Sequence, residues 1–361
     1  MKAIVASIYI PIAVALALCS ALAAWSQPAG NPPSHVPPGF VQVPQRSQFD
    51  RLPPNLRKRL RLRQPANFAV TRTSEAVQTD AETGHVPAED VIYSFEDNAP
   101  KGDFPYGGLI RDENGTLYGT TSGGGTGYSD AGVVYKVDPR GRESVLYSFT
   151  GGADGSGPVG SLLRGPAGEL YGATQSGGSR GAGVVYKVSP SGRETVLHSF
   201  SGPDGDNPLA GVISDAAGNL YGTTFLGGSA GPGVAFKLDP SGNEIVLHSF
   251  TGGADGAYPT GALIRDAAGN LYGTANGGGN LSACGGYGCG VVFKLDPSGN
   301  ETILYTFTGG TDGAYPFGSL TLDPGGNLYG TTDGGGNLSA CGGYGCGVVF
   351  KLDTKGNETA L

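Results

Sequence analysis

The chain has 361 residues with 66 glycines, 25 prolines and a formal net charge of −8. Glycine and proline at that level mean disorder unless the residues recur with a period, and here they recur. The acidic balance excludes a nucleic-acid partner, which would need a basic face to displace counterions from phosphate.

The N-terminus reads Met1-Lys2 and then an apolar run from Ala3 to Ala24. Ala21-Leu22-Ala23 and Ala24-Trp25-Ser26 both supply the small residues that a signal peptidase needs, so residues 1–26 read as a signal peptide. The run is also long enough to span a bilayer, which makes an uncleaved anchor the competing reading. Residues 27–90 are proline-rich and lack apolar periodicity, and are expected to form a disordered linker. Six of the chain's 23 basic residues fall between Arg51 and Arg63 with no acid among them. That stretch is a solvated tether or a contact to anionic envelope polymer.

From Val91 the sequence repeats. Tyr118, Tyr171, Tyr221, Tyr272 and Tyr329 occupy equivalent places in Leu-Tyr-Gly segments, spaced by 53, 50, 51 and 57 residues. A period near fifty marks a repeat architecture. In the fourth copy the β-prone runs are Gly261–Arg265, Asn270–Thr274, Gly290–Asp296 and Glu301–Phe307. They are separated by Asp- and Gly-containing turns, and apolar runs such as Val291-Val292-Phe293 call for burial on both faces. Four strands per repeat with no helical periodicity predict an all-β chain, a propeller of five four-stranded blades. The repeats are taken as about 91–144, 145–195, 196–245, 246–302 and 303–361; a β-solenoid is the runner-up. Val91–Phe95 is an orphan copy of the outer strand, expected to complete the last blade and lock the ring. Glu358–Leu361 begins another such strand.

The unit Gly-x-Leu-Ile-x-Asp-x-x-Gly-Asn-Leu-Tyr-Gly-Thr-Thr, followed by Gly-Val-Val-Phe-Lys-Leu-Asp-Pro-Ser-Gly-Asn-Glu-Thr, resembles the GloVer tandem repeat of bacterial exported proteins. It is more distantly similar to NHL and strictosidine-synthase-like propeller repeats. The resemblance covers about residues 91–361. It implies an exported propeller-like repeat protein, often fused to a surface anchor, and no defined activity.

The two long connections of each blade fall on one end of the propeller, and that end is the expected binding face. Asp154, Asp204, Asp255 and Asp312 recur there in Asp-Gly turns, with Asp103 read as the blade-one analogue. A carboxylate ring invites Ca²⁺, whereas Asp stabilising its own turn needs none, and no cofactor is expected. Cys284, Cys289, Cys341 and Cys346 form two identical Cys-Gly-Gly-Tyr-Gly-Cys units. They are expected to pair locally as disulfides, because metal sites need more soft ligands than either loop offers. Tyr287 and Tyr344 would be displayed by these loops. Gly-x-Ser-x-Gly matches at Ser179 and Ser229 lack the elbow, histidine and acid of a nucleophile site. His198 and His248 stand where other blades carry Tyr and are read as packing residues, and the periodic lysines (Lys136, Lys187, Lys237, Lys294, Lys351) as structural. No catalytic or metal-ligating set is therefore assigned. The leading expectation is a secreted, monomeric, non-enzymatic propeller that binds a glycan or protein at the cell envelope. The alternatives are a metal-dependent propeller hydrolase, lactonase or lyase, and a structural surface repeat with no specific ligand.

Overall fold

A computed structural model describes residues 91–95, 100–126 and 130–361. The signal-peptide and linker readings, with Arg51–Arg63, lie outside the described residues. Five antiparallel sheets form the blades of a propeller. In blade 4 an inner strand in two pieces, Ala257–Pro259 and Ile264–Arg265, pairs with the second strand Leu271–Gly277. The third strand, Val291–Leu295, and the outer strand, Glu301–Thr306, complete the sheet. The long inter-blade connection Thr251–Pro259 is not loop throughout, since its last three residues are strand. Among the described residues the helical structure is two 3₁₀ turns, Cys284–Gly286 and Cys341–Gly343. No described helix is long and apolar enough to cross a membrane.

The repeat motif is explained by the turn it builds. The Asp266 Oδ1 accepts the Asn270 backbone N–H at 2.8 Å, while Oδ2 accepts the Asn270 side-chain amide at 2.7 Å and the Tyr272 hydroxyl at 3.0 Å. Gly269 closes the turn at φ 90°, where a side chain would be strained. Asp, Gly, Asn and Tyr are thus one hydrogen-bonded unit, and its spacing is fixed by the hairpin.

The glycine of Leu-Tyr-Gly-Thr answers to packing instead. A Cβ at Gly273 would lie 2.5 Å from the Phe293 ring tip, because that ring lies across the second strand. Phe250, from the outer strand of blade 3, meets Phe293 edge-on at 5.1 Å between centroids. The same contact joins Phe149 to Tyr186, Phe200 to Phe236 and Phe307 to Phe350. Full burial of each phenylalanine stabilises the stack by about 2–3 kcal/mol. On the opposite side of each sheet, Lys237, Lys294 and Lys351 lie over the rings of Tyr221, Tyr272 and Tyr329 at 5.9 Å.

The expected ring lock is corrected. Val91–Phe95 does not pair with blade 5, whose own outer strand, Glu358–Ala360, pairs with Val349–Leu352. Instead Phe95 meets Tyr135 at 5.0 Å, and Tyr93 and Phe95 pack on Val133, Tyr135 and Val137. The segment therefore covers blade 1 as the outer strand of a preceding blade would. Its aromatic residues choose the nearest face that carries the matching ring.

Candidate functional site

Each blade junction combines three side chains from two repeats. One is the Tyr or His of an outer strand, the second the Asp (Lys101 at the first junction) in the loop that follows, and the third the Glu that opens the next outer strand. Blade stacking brings them together, although Tyr or His and Glu lie about one repeat apart in sequence. The loop Asp is anchored locally. Asp154 accepts from the Thr150 amide at 2.8 Å, the Thr150 hydroxyl at 2.5 Å and the Tyr147 hydroxyl at 2.8 Å. Burial opposes its ionisation, but these hydrogen bonds hold Asp154 below the usual carboxylate range. Asp204 is likewise held low against burial by Ser201 and by His198, whose Nε2 lies 3.0 Å away. Asp312 is held by Thr308 and Tyr305.

The glutamates are the opposite case. Burial, and then the charge of the neighbouring Asp, pushes Glu194 and Glu244 up to about 7 and Glu301 up to about 8. Glu358 moves the same way for the same causes. In blade 1, burial raises Glu143 while Lys101, 3.4 Å away, works against it.

At the junction of blades 3 and 4 the geometry changes. His248 Nε2 lies 3.4 Å from Asp255 Oδ2 and 3.6 Å from Glu301 Oε1, and one donor atom from each residue falls within 4.8 Å of the other two. His248 Nε2 and Glu301 Oε1 are buried and have no hydrogen-bond partner. Asp255 is fixed by the Thr251 amide at 2.7 Å and its hydroxyl at 2.5 Å. Two carboxylates and an imidazole around a common point suit a divalent cation, which would satisfy the orphaned atoms. At the first junction a protein cation already stands in the equivalent region, 3.4 Å from the glutamate. Lys101, not Asp103 as expected from the sequence, stands at the Asp position of the first junction, because Gly102 packs there as Gly155 packs in the next repeat.

The expected site residues divide into separate groups. Asp154, Asp204, Asp255 and Asp312 each serve their own junction. Cys284 pairs with Cys289 and Cys341 with Cys346, at Cα separations of 5.4 and 5.5 Å. Tyr287 and Tyr344 are exposed on the stapled loops, and their hydroxyls lie near that of half-buried Tyr315, which burial and then these two neighbours raise. His248, read as a packing residue, also belongs to the acid cluster. The sequence reading missed the glutamates at 143, 194, 244, 301 and 358. Their signal was present, since an acid opening a β-prone strand in every repeat is more regular than a solvated position requires.

The sequence profile of the Gloeobacter/Verrucomicrobia repeat matches residues 77–284 and 191–361. Among curated proteins none matches significantly. A gluconolactonase from Xanthomonas campestris is a similar solved structure, at 16% identity and TM-score 0.44, with 72% of this chain and 75% of that chain covered. A luciferin-regenerating enzyme is similar at 17% identity and TM-score 0.45, with 73% and 76% covered. The extracellular domain of BT4673 from B. thetaiotaomicron is similar at 15% identity and TM-score 0.46; 72% of this chain is covered but only 31% of that one. At these identities the likeness is one of fold. The expectation of a non-enzymatic propeller binding glycan or protein is corrected on the geometry: the acids given to its binding face, Asp154, Asp204, Asp255 and Asp312, are built into blade junctions. With its repeats matched from residue 77 to residue 361, the chain belongs to the Gloeobacter/Verrucomicrobia repeat family.

Proposed function

We propose that the chain is a metal-dependent propeller hydrolase acting on a lactone or related ester, with its centre at His248, Asp255 and Glu301. The observation that carries the reading is the convergence of three donor atoms within 4.8 Å, two of them buried and without hydrogen-bond partners. A divalent cation held there would polarise the substrate carbonyl and make a bound water more acidic. His248 and Asp255 would hold the cation, Asp255 rigidly because Thr251 fixes both of its oxygens. Glu301 is pushed up to about 8 by burial and by Asp255 in the metal-free junction; a cation beside it would draw it back down and leave its carboxylate placed to take the proton of the attacking water. Export through the envelope belongs to the same proposal, and the two disulfides are compatible with an oxidising compartment.

The test uses chain purified from an oxidising host, stripped with chelator and reloaded separately with Zn²⁺, Mn²⁺ or Ca²⁺. Metal content and the hydrolysis of a panel of aldonolactones are then measured. His248→Tyr restores the residue that three other junctions carry at Tyr93, Tyr147 and Tyr305, so the fold is expected to survive. It should lose both metal and turnover while melting as the wild type does. Turnover that persists in His248→Tyr, or a wild type that neither retains metal nor hydrolyses any lactone, overturns the proposal.

A further inference from the structure

The blade interfaces are built from one recurring apolar contact. The second residue of each third-strand run, on the trailing face of one blade, meets an apolar residue just before the inner strand of the next. Val134 and Leu162 share one buried cluster, Val185 and Val212 a second, Ala235 and Leu263 a third, and Val292 and Leu320 a fourth. All eight are buried, the four third-strand residues completely. A hydrogen bond accompanies the contact at three interfaces, where Thr120, Thr223 and Thr274 donate to the carbonyls of Gly160, Gly261 and Gly318 at 3.3 Å.

Among the described residues the two remaining members of the series have no such counterpart. Val349, on the trailing face of blade 5, is 51% exposed, and Leu109, on the leading face of blade 1, is 42% exposed. Thr331 is exposed and turns its hydroxyl to Phe317 within its own blade, at 2.9 Å. A Cβ at Gly318 meets nothing within 4 Å, whereas one at Gly261 would strike the next blade. One molecule thus presents both halves of an interface that it makes four times internally.

We propose that the trailing face of blade 5 receives the leading face of blade 1 from a second copy of the chain. Leu109 of that copy covers Val349, and the Gly107 carbonyl of that copy accepts from the Thr331 hydroxyl. The contact continues an interface already present in the chain and depends in no way on the hydrolase reading. It is heterologous, so association proceeds head to tail, into a closed ring or an open row according to the rotation at each joint.

Sedimentation velocity across a concentration series tests this, using the chain purified from an oxidising host. The wild type associates with rising concentration, while Val349→Arg and Leu109→Arg each stay monomeric with unchanged circular dichroism. An equimolar mixture of the two variants forms a dimer with one of each and goes no further, since each supplies the face the other lacks. A second measurement oxidises the double variant Leu109→Cys and Val349→Cys. Cross-links between molecules support the proposal, and cross-links confined within one molecule show that blade 1 of the same chain is the occupant. The proposal is overturned by that result, by a wild type that remains monomeric, or by association that both arginine variants retain.

Discussion

Replacing Glu301 with glutamine keeps the side-chain shape and removes the titration, so the variant isolates what the buried carboxyl costs. The folded pKa is raised from 4.5 to about 8, chiefly by burial and then by Asp255. A raised pKa means that the folded state holds the proton more tightly than the unfolded chain does. The contribution of Glu301 to stability is therefore fully present below pH 4.5, is lost as pH rises through the window to about 8, and is level above it. At about 1.4 kcal/mol per pH unit the displacement sets an upper bound near 5 kcal/mol. Solvent that still reaches the junction reduces the expected effect to about 2–3 kcal/mol. Urea melts in EDTA, from pH 5 to pH 8.5, should show wild type and Glu301→Gln nearly matched at the acid end. The variant should be the more stable by about 2–3 kcal/mol at the alkaline end. Added Zn²⁺ or Mn²⁺ should return the alkaline loss to the wild type, because a cation takes the place of the missing proton, and should stabilise the variant less, since only His248 and Asp255 remain there to hold it. A stability difference that is constant across the whole pH range would refute the assignment of Glu301 as the buried, proton-holding member of the junction.

Two further variants probe the frame around the site. Gly273→Ala places a methyl group 2.5 Å from the Phe293 ring tip in a fully packed interface, and thermal unfolding should show a loss of about 1–3 kcal/mol. Removing Cys284 and Cys289 together releases a loop closed over five residues of sequence separation; chain entropy gives about 2 kcal/mol, read as a lower melting temperature, and dithiothreitol should lower that of the wild type further because it opens Cys341–Cys346 as well.

Much of the fold was legible because its determinants are local. Asp266, Gly269, Asn270 and Tyr272 lie within seven residues and make their hydrogen bonds to one another, so the hairpin could be read from the string. The disulfides were legible for the same reason, each being closed within one loop. The junctions were not, because His248 and Glu301 meet only when two sheets stack. Glu301 follows Pro297-Ser298-Gly299-Asn300 and reads as the polar flank of an exposed turn, and its burial is imposed by the neighbouring blade. The assignment of Asp103 failed through an insertion in the first inter-blade loop, which puts Lys101 at the Asp position. The destination of Val91–Phe95 also lay beyond pattern. The segment matches every outer strand equally well, and the contact of Phe95 with Tyr135 decides which blade it covers.

The five junctions together argue for where chemistry can arise in a chain this regular. Every junction buries a glutamate that must be neutralised by a proton or a cation. At the first, Lys101 supplies the charge. At the second and fifth, Tyr147 and Tyr305 donate their hydroxyl protons to Asp154 and Asp312, so the loop carboxylates are satisfied and the glutamates are left to hold protons of their own. At the third, His198 is committed to Asp204 at 3.0 Å. Only at the fourth does a histidine stand off from both acids, at 3.4 and 3.6 Å, leaving an imidazole nitrogen and a carboxyl oxygen facing each other without a hydrogen bond. The long stapled loops are the larger departure from the repeat, yet they leave the junction chemistry untouched. A change of one side chain, Tyr to His, together with a shift of about half an ångström, turns an acid pair held by protons into a set of donors that can take a metal.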